Sequence, residues 1–367
     1  MHRVFIYNEF ENLPVKVTTA LNACLATGFY RSWAWFQAQL EGEREHGAQP
    51  MLLVLERSNE VVAVLPVVSA SVKLARHVSC RAIRSCTNDF TADYGIMVVA
   101  GRAFEREDAV AFVRGIQEHL PWDAFVIRKY VPEDRLTQEF VDALAGQSFT
   151  SEHFEDGRTF VSDHGYADFE SFVAQRSTKL IKECKRRDKR LRDTFETVEW
   201  RWCQPESTVK EAFETFQSIY ARSWKPPEGQ PDQLWRIYTA AARSGALRVG
   251  CLYVGGTPIA ARVCFVWHGH LSFFKSAYDE EYKSYGIGDL MNYYSFQSLV
   301  TQEQVSSFDF GIGAEKYKAK WAPRAEARMG CVAYRARSMR GLFAGSASLF
   351  VRHCRRWFTA AKPESCR

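Results

Sequence analysis

The feature that most constrains the fold is a succession of three strand-like segments that leads into a glycine turn and a helix. The segments LRVGCLYV, TPIAARVCFVW and HLSFFKSAY are rich in β-branched and aromatic residues, and the turns Gly255-Gly256 and His268-Gly269 separate them. The third segment is followed by Lys283-Ser-Tyr-Gly-Ile-Gly288 and by a helix-like run over Asp289–Val300. This order predicts an antiparallel meander that ends in a strand–turn–helix unit.

The Gly286-Ile-Gly288 turn has the properties of an anion-binding site. Two glycines at a strand-to-helix turn let the backbone approach a ligand closely, and the first turn of a helix offers unpaired N–H groups and a positive dipole end. A pyrophosphate is the simplest ligand. The spacing excludes a P-loop and a dinucleotide-binding fingerprint, because the residues that must follow the last glycine in those motifs are absent. The same six residues can also form a turn that binds nothing.

The composition is that of a globular protein. The chain has 367 residues, of which 46% are hydrophobic and 25% charged, and this length is sufficient for two domains with their own cores. The sequence has neither an apolar segment of signal-peptide length at its start nor an uncharged apolar run long enough to span a membrane. The ten cysteines stand singly, which is typical of buried thiols in a reducing compartment and not of a zinc site. We therefore expect a cytoplasmic protein without a metal.

The predicted elements fall into two halves of similar order. In the first half we expect a hairpin of Met51–Arg57 and Glu60–Val68 across Ser58-Asn59, a strand in ADYGIMVV, a helix over Phe104–Leu120, a strand over Trp122–Arg128 and a helix ending near Leu144. In the second half we expect helices over Glu206–Trp224 and Gln233–Arg243, the three strands and the helix described above, and strands over Ser307–Phe310 and Arg328–Arg335. The predicted domains are residues 1–160 and 161–337, followed by a C-terminal segment over 338–367.

Positive charge is concentrated in two segments. Residues 176–192 contain nine basic and two acidic residues, and four of the residues between them recur at helical spacing: Leu180, Cys184, Arg187 and Leu191. We expect a surface helix with a narrow apolar stripe that one arginine interrupts. Residues 335–367 contain eight basic residues and one acidic residue among apolar ones. They predict a basic amphipathic helix, which can dock on the second domain or lie on an anionic membrane.

The glycine turn resembles the Arg/Gln-x-x-Gly-x-Gly/Ala signature of the GNAT acyltransferases. Lys283 stands where that family more often has Arg or Gln. In the family the turn follows the fourth core strand and binds the pyrophosphate of acyl-coenzyme A, and the β-β-β-α-β-loop-β order of the second half is also similar to a GNAT core. The resemblance implies a mixed α+β fold of tandem GNAT-like (acyl-CoA N-acyltransferase) domains, each a mixed central sheet flanked by helices.

Three further segments resemble the Fem-like branch of this superfamily, and most closely the CelD-type acetyltransferases of cellulose and exopolysaccharide biosynthesis. These segments are Asp93-Tyr94, RSTKLIKECKRRDKRL and the FDFGIGAEKYKAKWAP stretch from Phe308 to Pro323. The resemblance implies transfer of an acyl group from acetyl-CoA or another acyl-CoA to an amine of a sugar or sugar-lipid precursor of a surface polysaccharide. A Fem-like transferase that uses aminoacyl-tRNA and a non-catalytic scaffold for polysaccharide assembly are the alternatives.

The basic helix over residues 176–192 leaves three interpretations open. It can be a solvated face, it can attract an anionic acceptor at the inner membrane surface, or it can bind tRNA. Fem-like enzymes often use a long helical hairpin for tRNA, and this chain has no room for a comparable insertion. We therefore expect acyl-CoA and not nucleic acid as the partner, with peripheral membrane contact through the basic helices as an open alternative.

The resemblance implies a donor site at the turn. The backbone N–H groups of Gly286, Ile287 and Gly288 are expected to bind the pyrophosphate, with Tyr285 beside them and Lys283 as a nearby cation. The first half has no turn of this kind. We therefore expect the second half to be the catalytic one and the first half to be a degenerate copy that shapes the acceptor cleft.

Direct acyl transfer needs a general base and a general acid, and no covalent nucleophile. Asp309, at the end of a predicted strand, and Glu315, in the loop beyond it, are the candidate bases, and Tyr278 is the candidate acid for the leaving sulfur. Each has an alternative explanation. Asp309 can cap a loop, Glu315 can pair with a neighbouring lysine, and Tyr278 can be an aromatic strand residue.

Three residues are candidates for substrate binding. Trp224, with Lys225 next to it, precedes Pro226-Pro227, which would stiffen a loop over the acceptor. Tyr317 and Lys318 resemble a Tyr-Lys pair that is common in the Fem-like branch and would line the acceptor or donor cleft. Core packing for Trp224 and a solvated loop face for the other two remain as alternatives.

Overall fold

The structure is a computed structural model, and it describes residues 1–24, 28–75, 78–203, 209–313 and 315–360. A first set of helices and strands runs from β1 to β7: β1 (His2–Tyr7), α1 (Val15–Asn22), α2 (Trp33–Glu45), β2 (Gln49–Arg57), β3 (Glu60–Ala75), β4 (Val78–Ser85), β5 (Met97–Val98), α3 (Arg106–His119), β6 (Ala124–Tyr130), α4 (Arg135–Gly146) and β7 (Thr150–Ser162). We call this set the first half.

The remaining elements form the second half. They are α5 (Phe169–Ala174), α6 (Thr178–Thr194), β8 (Val198–Cys203), α7 (Val209–Ala221), α8 (Pro231–Arg243), β9 (Leu247–Val254), β10 (Thr257–Trp267), β11 (His270–Tyr278), a 3₁₀ turn (Glu280–Tyr285), α9 (Ile287–Gln302), β12 (Ser307–Ile312), a second 3₁₀ turn (Lys318–Lys320), β13 (Arg324–Tyr334) and α10 (Met339–Ala360). The mixed α+β class predicted from the sequence is confirmed.

All strands belong to one 13-stranded sheet in which the two halves exchange their last strands. The order is β1-β2-β3-β4-β6-β13-β7-β12-β11-β10-β9-β8, and β5 pairs with β3. The last strand of the second half, β13, pairs with β6 of the first half, and the last strand of the first half, β7, pairs with β12 of the second half. The two strands also pair with each other. The predicted boundary at residue 160 lies inside β7, so it falls within the strand that joins the halves.

Most of the predicted elements appear with shifted ends. The first hairpin is confirmed, and Ser58 and Asn59 at its turn have φ of 54° and 69°, as two-residue hairpins require. The three strands of the second half and the helix after them are confirmed as β9, β10, β11 and α9. The helix predicted from Glu206 is α7, which begins at Val209, and residues 204–208 lie outside the described part of the chain.

The expected strand in ADYGIMVV is wrong except for Met97–Val98. The residues before Met97 do not join a strand ladder, because the Tyr94 N–H donates to the Lys129 carbonyl at 3.0 Å and the Ile96 N–H donates to Thr137 Oγ1 at 3.1 Å. Four strands were not predicted: β1, β4, β7 and β8. In β7 charged residues interrupt the apolar alternation that marks a strand, since TSEHFEDGRTFVS contains five of them counting His153.

Each half contains one parallel strand pair that separates along its length. In the first half β4 pairs with β6 over Ala82–Arg84, and in the second half β11 pairs with β12 over His270–Ser272. The first-half opening is filled by Tyr94, whose side chain is fully buried and whose hydroxyl donates to the Pro66 carbonyl at 2.5 Å. The second-half opening is not filled in this way, and a cleft lies there.

Aromatic side chains hold the halves together beside the sheet. Phe29 and Trp35 of the first half contact Phe265 of the second half, with ring centroids 4.6 Å and 6.1 Å apart. Helix α2 also packs on α8, where the buried Gln233 amide donates to the Ala38 carbonyl at 3.2 Å. These contacts are extensive and largely apolar, so they fix the position of the first half at the rim of the cleft.

The basic helix predicted from the charge pattern is α6. Leu180, Cys184 and Leu191 are buried as the apolar stripe requires. The outer face is partly neutralised within the helix, because Glu183 binds Arg186 at 2.8 Å and Asp188 binds Arg192 at 2.9 Å. Such pairs weaken the field that the nine basic residues would produce alone.

The C-terminal helix begins by docking on the sheet. Ala344 of α10 packs with Cys80, Ala124 and Tyr334 in a small cluster, whereas Phe343 is 60% exposed. The last predicted residues of this segment, 361–367, lie outside the described part of the chain. Among the residues that the structure describes, no helix combines the length and apolar character needed to cross a membrane.

Candidate active site

The cleft between β11 and β12 is about 320 Å³ in volume and receives side chains from both halves. The first half contributes Tyr30, Asp89 and Phe90. The second half contributes residues of β10, β11 and β12 and of the loops after α7 and β12, and these include three residues predicted from the sequence: Glu315, Tyr317 and Lys318. The structure therefore places these three side chains at one junction of the two halves.

Lys318 lies beneath the cleft wall as a buried ammonium group. It is only 3% exposed, and its Nζ donates to the Ile312 carbonyl at 3.0 Å and lies 2.9 Å from a Glu315 carboxylate oxygen. Burial lowers the pKa of Lys318, and Glu315 opposes this effect. The separation of β12 from β11 leaves carbonyl groups without a strand partner, and Lys318 satisfies them.

Asp309 lies behind the cleft and does not contribute to its lining. Its carboxylate accepts from Ser272 Oγ at 2.6 Å and from the Gly311 N–H at 2.7 Å, and it lies 2.9 Å from His270 Nε2. Burial by itself raises the pKa of Asp309, but the hydrogen bonds, led by that from His270, outweigh it and hold the pKa below its usual value. A buried carboxylate with its oxygens occupied orients β11 against β12 and is a weak proton acceptor.

Arg262 is a residue of the cleft that was not predicted. It is 3% exposed, its guanidinium lies 4.9 Å from the Phe273 ring centroid, and Nη2 donates to Asn292 Oδ1 at 2.6 Å. Its Nε is buried without a hydrogen-bond partner in the described residues. The signal in the sequence was a single arginine in the middle of the apolar strand TPIAARVCFVW, because a charged side chain is rarely buried unless a partner compensates its charge.

Lys225, which the sequence singled out with Trp224, is also a cleft residue, and Glu228 is one that the sequence did not single out. Glu228 forms an ion pair with Lys275. Lys225 donates from Nζ to the Ser276 carbonyl at 2.7 Å. Both lie in the loop Trp224-Lys-Pro-Pro-Glu228, so the proline pair that drew attention to Trp224 also marks them.

We expect the Lys225 amine to titrate with a pKa of about 8. Burial is the main cause of the lowered pKa, and the positive charges of Lys275 and Arg262 add to it. Acetylation by a water-soluble active ester over pH 6.5–10.5, quantified by peptide mass spectrometry, measures this pKa from the rise in labelling rate.

Lys283 is the internal control in that experiment, because it is exposed and its hydrogen bond with Glu280 raises its pKa. At pH 8 its labelled fraction should be far below that of Lys225 once each rate is scaled to its own plateau. Equal midpoints for the two lysines would contradict the burial of Lys225.

Tyr278 and Trp224 lie together at the end of β11. Their ring centroids are 4.5 Å apart, and Trp224 is 52% exposed. Burial raises the pKa of Tyr278, so its hydroxyl remains protonated at neutral pH. A Cβ placed on Gly288 would lie 4.0 Å from the Tyr278 ring. The predicted acid, one predicted substrate residue and one glycine of the turn are therefore neighbours.

The glycine turn has the predicted strand–turn–helix geometry. Gly286 is the N-cap of α9 in the left-handed conformation, with φ 68° and ψ 40°. The Asp289 N–H donates back to the Gly286 carbonyl at 3.1 Å, whereas the N–H groups of Ile287 and Gly288 have no acceptor among the described residues. The corresponding helix of the first half, α3, is closed by Asp108, which accepts from the Glu105 N–H at 3.0 Å. The N-terminus of α9 therefore lacks the side-chain cap that α3 has.

Two predicted donor residues point to other partners. Lys283 is exposed and binds Glu280 at 3.0 Å. The Tyr285 ring packs against the guanidinium of Arg190, 4.9 Å from its centroid, and against Phe195. The Lys283 ion pair lies within the 3₁₀ turn, and the Tyr285 contacts attach the turn to α6.

The cation nearest the turn is Arg187 of α6. A Cβ placed on Gly286 would lie 2.5 Å from Arg187 Nη1, so the guanidinium covers this glycine. The same nitrogen donates to Asp289 at 2.9 Å. The signal for this residue was its place in the apolar stripe of the basic helix, which an arginine interrupts only if its head group has a partner.

Comparison with known proteins agrees with this architecture. A family model described as an acetyltransferase (GNAT) domain matches residues 178–319, which include α6, the three strands, the turn, α9 and the cleft loop. The fold is similar to that of FemX, at 9% sequence identity, covering 87% of this chain and 96% of that chain with a TM-score of 0.60. It is also similar to L-PGS from Bacillus licheniformis, at 13% identity, covering 93% and 97% with a TM-score of 0.51.

A weaker likeness is to a tandem GNAT protein from the clavulanic acid biosynthesis pathway, at 8% identity, covering 90% of this chain and 98% of that chain with a TM-score of 0.46. A search of curated proteins gave no match. The fold is thus similar to those of FemX and L-PGS, and the part of the chain that matches the acetyltransferase (GNAT) domain model lies in the second half.

Proposed function

We propose that the protein is an acyl-CoA-dependent N-acyltransferase, with acetyl as the first acyl group to test. The observation that carries this proposal is that β11 leads from the cleft to the N-terminus of α9: Ser276 lines the cleft, and Tyr278 at the end of the strand lies beside Gly288 in the first turn of α9, which has no side-chain cap. This arrangement places a possible anion site at one end of β11 and a cleft with carboxylates beside the same strand. The acceptor is an amine of a sugar or sugar-lipid precursor of a surface polysaccharide, as the CelD-type resemblance implies.

The donor would bind with its pyrophosphate at the N–H groups of Ile287 and Gly288. A neighbouring cavity of about 840 Å³ runs from Asp289 along α6 and is lined by the cations Arg187 and Lys320. Asp289 is neutralised by both of them, at 2.9 Å and 3.4 Å. This cavity would take the nucleotide part of the donor, because cations and a helix N-terminus favour its phosphates.

The reaction is a direct transfer in the cleft. The amine nitrogen forms a bond to the thioester carbonyl carbon, the carbon–sulfur bond breaks, and the amine loses a proton. We assign the role of proton acceptor to Glu315, because its carboxylate lines the cleft and is 56% exposed, whereas Asp309 is enclosed. Tyr278 would supply the proton to the departing thiolate, since its hydroxyl is protonated at neutral pH.

Replacing Glu315 by Gln should lower kcat by about 10²- to 10⁴-fold with a small change in KM for the donor, because general base catalysis contributes a factor of this size. The measurement is release of free coenzyme A with a thiol reagent, over pH 6–9. Glu228→Gln is the matched control, because Glu228 is another carboxylate of the same cleft and binds Lys275. If the Glu228 variant loses more kcat than the Glu315 variant, the base has been assigned to the wrong residue.

Titration calorimetry with acetyl-CoA tests the function itself. Micromolar binding followed by acetylation of an amino sugar supports the proposal, and binding without turnover on any amine favours the scaffold alternative. The aminoacyl-tRNA alternative is tested in parallel, because the fold is similar to that of FemX and α6 exposes a basic face. Retention of tRNA at physiological salt with no heat from acetyl-CoA would favour it.

A further inference from the structure

We propose that the acceptor amine carries a carboxylate or a phosphate, and that Arg262 and Lys225 bind this oxyanion in the cleft. The inference rests on the proposed function, because it assigns the substrate class of the same site. It rests structurally on two cations at the junction of the two halves, the buried Arg262 and the partly buried Lys225, neither of which has an ion-pair partner among the described residues.

The first step of the argument is the charge balance of the cleft. Four cations and three carboxylates line it: Lys225, Arg262, Lys275 and Lys318, and Asp89, Glu228 and Glu315. Lys275 is paired with Glu228, and Lys318 with Glu315. Within the described residues, neither Lys225 nor Arg262 has a carboxylate within ion-pair distance. Lys225, Arg262 and Asp89 remain, so the lining groups outside the two ion pairs carry a net charge of +1.

The second step concerns Arg262, whose charge is buried at a high cost unless something compensates it. Its partners are neutral: the Asn292 amide oxygen at 2.6 Å, the Tyr317 hydroxyl and the face of Phe273. Its Nε has no partner in the described residues and is shielded from solvent by the fold. Burying an isolated charge is unfavourable, and an anion with two oxygens is the natural complement of a planar guanidinium.

The third step concerns Lys225 on the loop after α7, which is the second cation of the cleft without an ion-pair partner among the described residues. Its Nζ is held by one carbonyl, that of Ser276, at 2.7 Å, and its ring neighbours are Trp224 and Tyr220 at 5.7 Å and 5.9 Å. Arg262 lies close enough to disfavour protonation of Lys225. Two cations that repel each other across a cleft are both stabilised when an anion enters between them.

Two carboxylates of the cleft suit the other end of such an acceptor: Asp89 has no ion pair among the described residues, and Glu315 is half-exposed beside Lys318. Asp89 and Glu315 line the same cleft, so an ammonium group has acceptors there while the oxyanion occupies the cationic pair. The acceptor is therefore bipolar, with an amine and an acidic group on one small molecule. A neutral amino sugar would leave Arg262 uncompensated, and this difference gives selectivity.

The experiment compares three amines that differ at one position: glucosamine, glucosamine 6-phosphate and 2-amino-2-deoxyglucuronic acid. Calorimetric titration into the full-length protein should show that at least one of the two anionic amines binds about 10- to 100-fold more tightly than glucosamine, as charge-assisted hydrogen bonds imply. The two charged amines distinguish phosphate from carboxylate. Arg262→Met should remove the preference, and Arg262→Lys should restore part of it.

Arg248→Met is the control variant, because Arg248 lies on the neighbouring strand but has its own carboxylate partner, Glu303, at 2.6 Å. It should keep the preference for the anionic amines.

If the Arg262 variants fail to fold, labelling of the wild-type protein still tests the inference. Acetylation of Lys225 by an active ester at pH 8 should slow at least fivefold in the presence of the preferred anionic amine and not with glucosamine, whereas labelling of Lys283 should not change.

Equal binding of all three amines, or unchanged labelling of Lys225 with both anionic ones, overturns this inference. Its failure is separable from failure of the proposed function. If acetyl-CoA binds and glucosamine is acetylated as fast as its charged analogues, only the acceptor class is wrong. If the anionic amines bind and protect Lys225 but no acetyl group is transferred from acetyl-CoA, the oxyanion site stands and the proposed reaction is wrong.

Discussion

Gly288→Glu should abolish acetyl-CoA binding while the protein remains folded. The Cβ of the new side chain has open space, since its nearest neighbour is the Tyr278 ring at 4.0 Å. The added carboxylate, however, stands in the first turn of α9, where it repels a pyrophosphate and occupies the N–H groups that would bind it. We expect the dissociation constant measured by calorimetry to rise at least about 100-fold, which corresponds to about 2.7 kcal/mol.

Two comparisons separate this effect from damage to the fold. Gly146→Glu adds the same charge at the end of α4, where a Cβ also meets nothing within 4 Å, and it should leave acetyl-CoA binding unchanged. Gly286 is unsuitable for this test, because its φ of 68° and the Arg187 guanidinium above it make any side chain a strain on the fold. Wild-type affinity in a folded Gly288→Glu protein would exclude the turn as the donor site.

A chain that ends at Pro323 should lose the fold of both halves. It lacks β13, which lies between β6 and β7 and pairs with β7 from Arg324 to Tyr334. Its removal opens the sheet in its centre and leaves two unpaired strand edges. We expect the cooperative thermal transition to disappear and hydrogen exchange to rise in β6 of the first half as well as in β12 of the second.

The matched control is a chain that ends at Arg337, which keeps β13 and loses α10. It should retain a cooperative transition at a lower temperature, because α10 contributes the contacts of Ala344 and the backbone of Gly341. If the chain ending at Pro323 unfolds with the full-length midpoint, the exchanged strand is not needed for the first half. Unfolding of the first half alone at a separate temperature would also contradict the shared sheet.

The local sequence pattern was sufficient to predict the central strands of the second half. The strands β9, β10 and β11 are long, apolar and separated by glycine turns, so hydrophobic alternation and turn chemistry agree on their position. The turn at Gly286 was likewise evident, because its left-handed conformation favours glycine. Family resemblance, and not periodicity, supplied the interpretation of that turn as a donor site.

The cleft residues were predicted only in part. Glu315, Tyr317 and Lys318 lie in one short segment that could be singled out from the sequence. Arg262 and Lys225 are distant from it in sequence and become neighbours only when the sheet forms. The functional assignments of these residues stay predictions until the experiments above are done.

By itself the sequence determined the class of fold, the basic helix and the glycine turn, because each depends on residues close together in the chain. Only the tertiary structure decided which half keeps an open cleft. Tyr94 fills the opening beside β4, whereas a cleft of about 320 Å³ lies at the opening beside β11. The exchange of β7 and β13 was also visible only in the tertiary structure. The paired residues are more than 160 positions apart, so their pairing depends on the whole sheet and leaves no local sequence pattern.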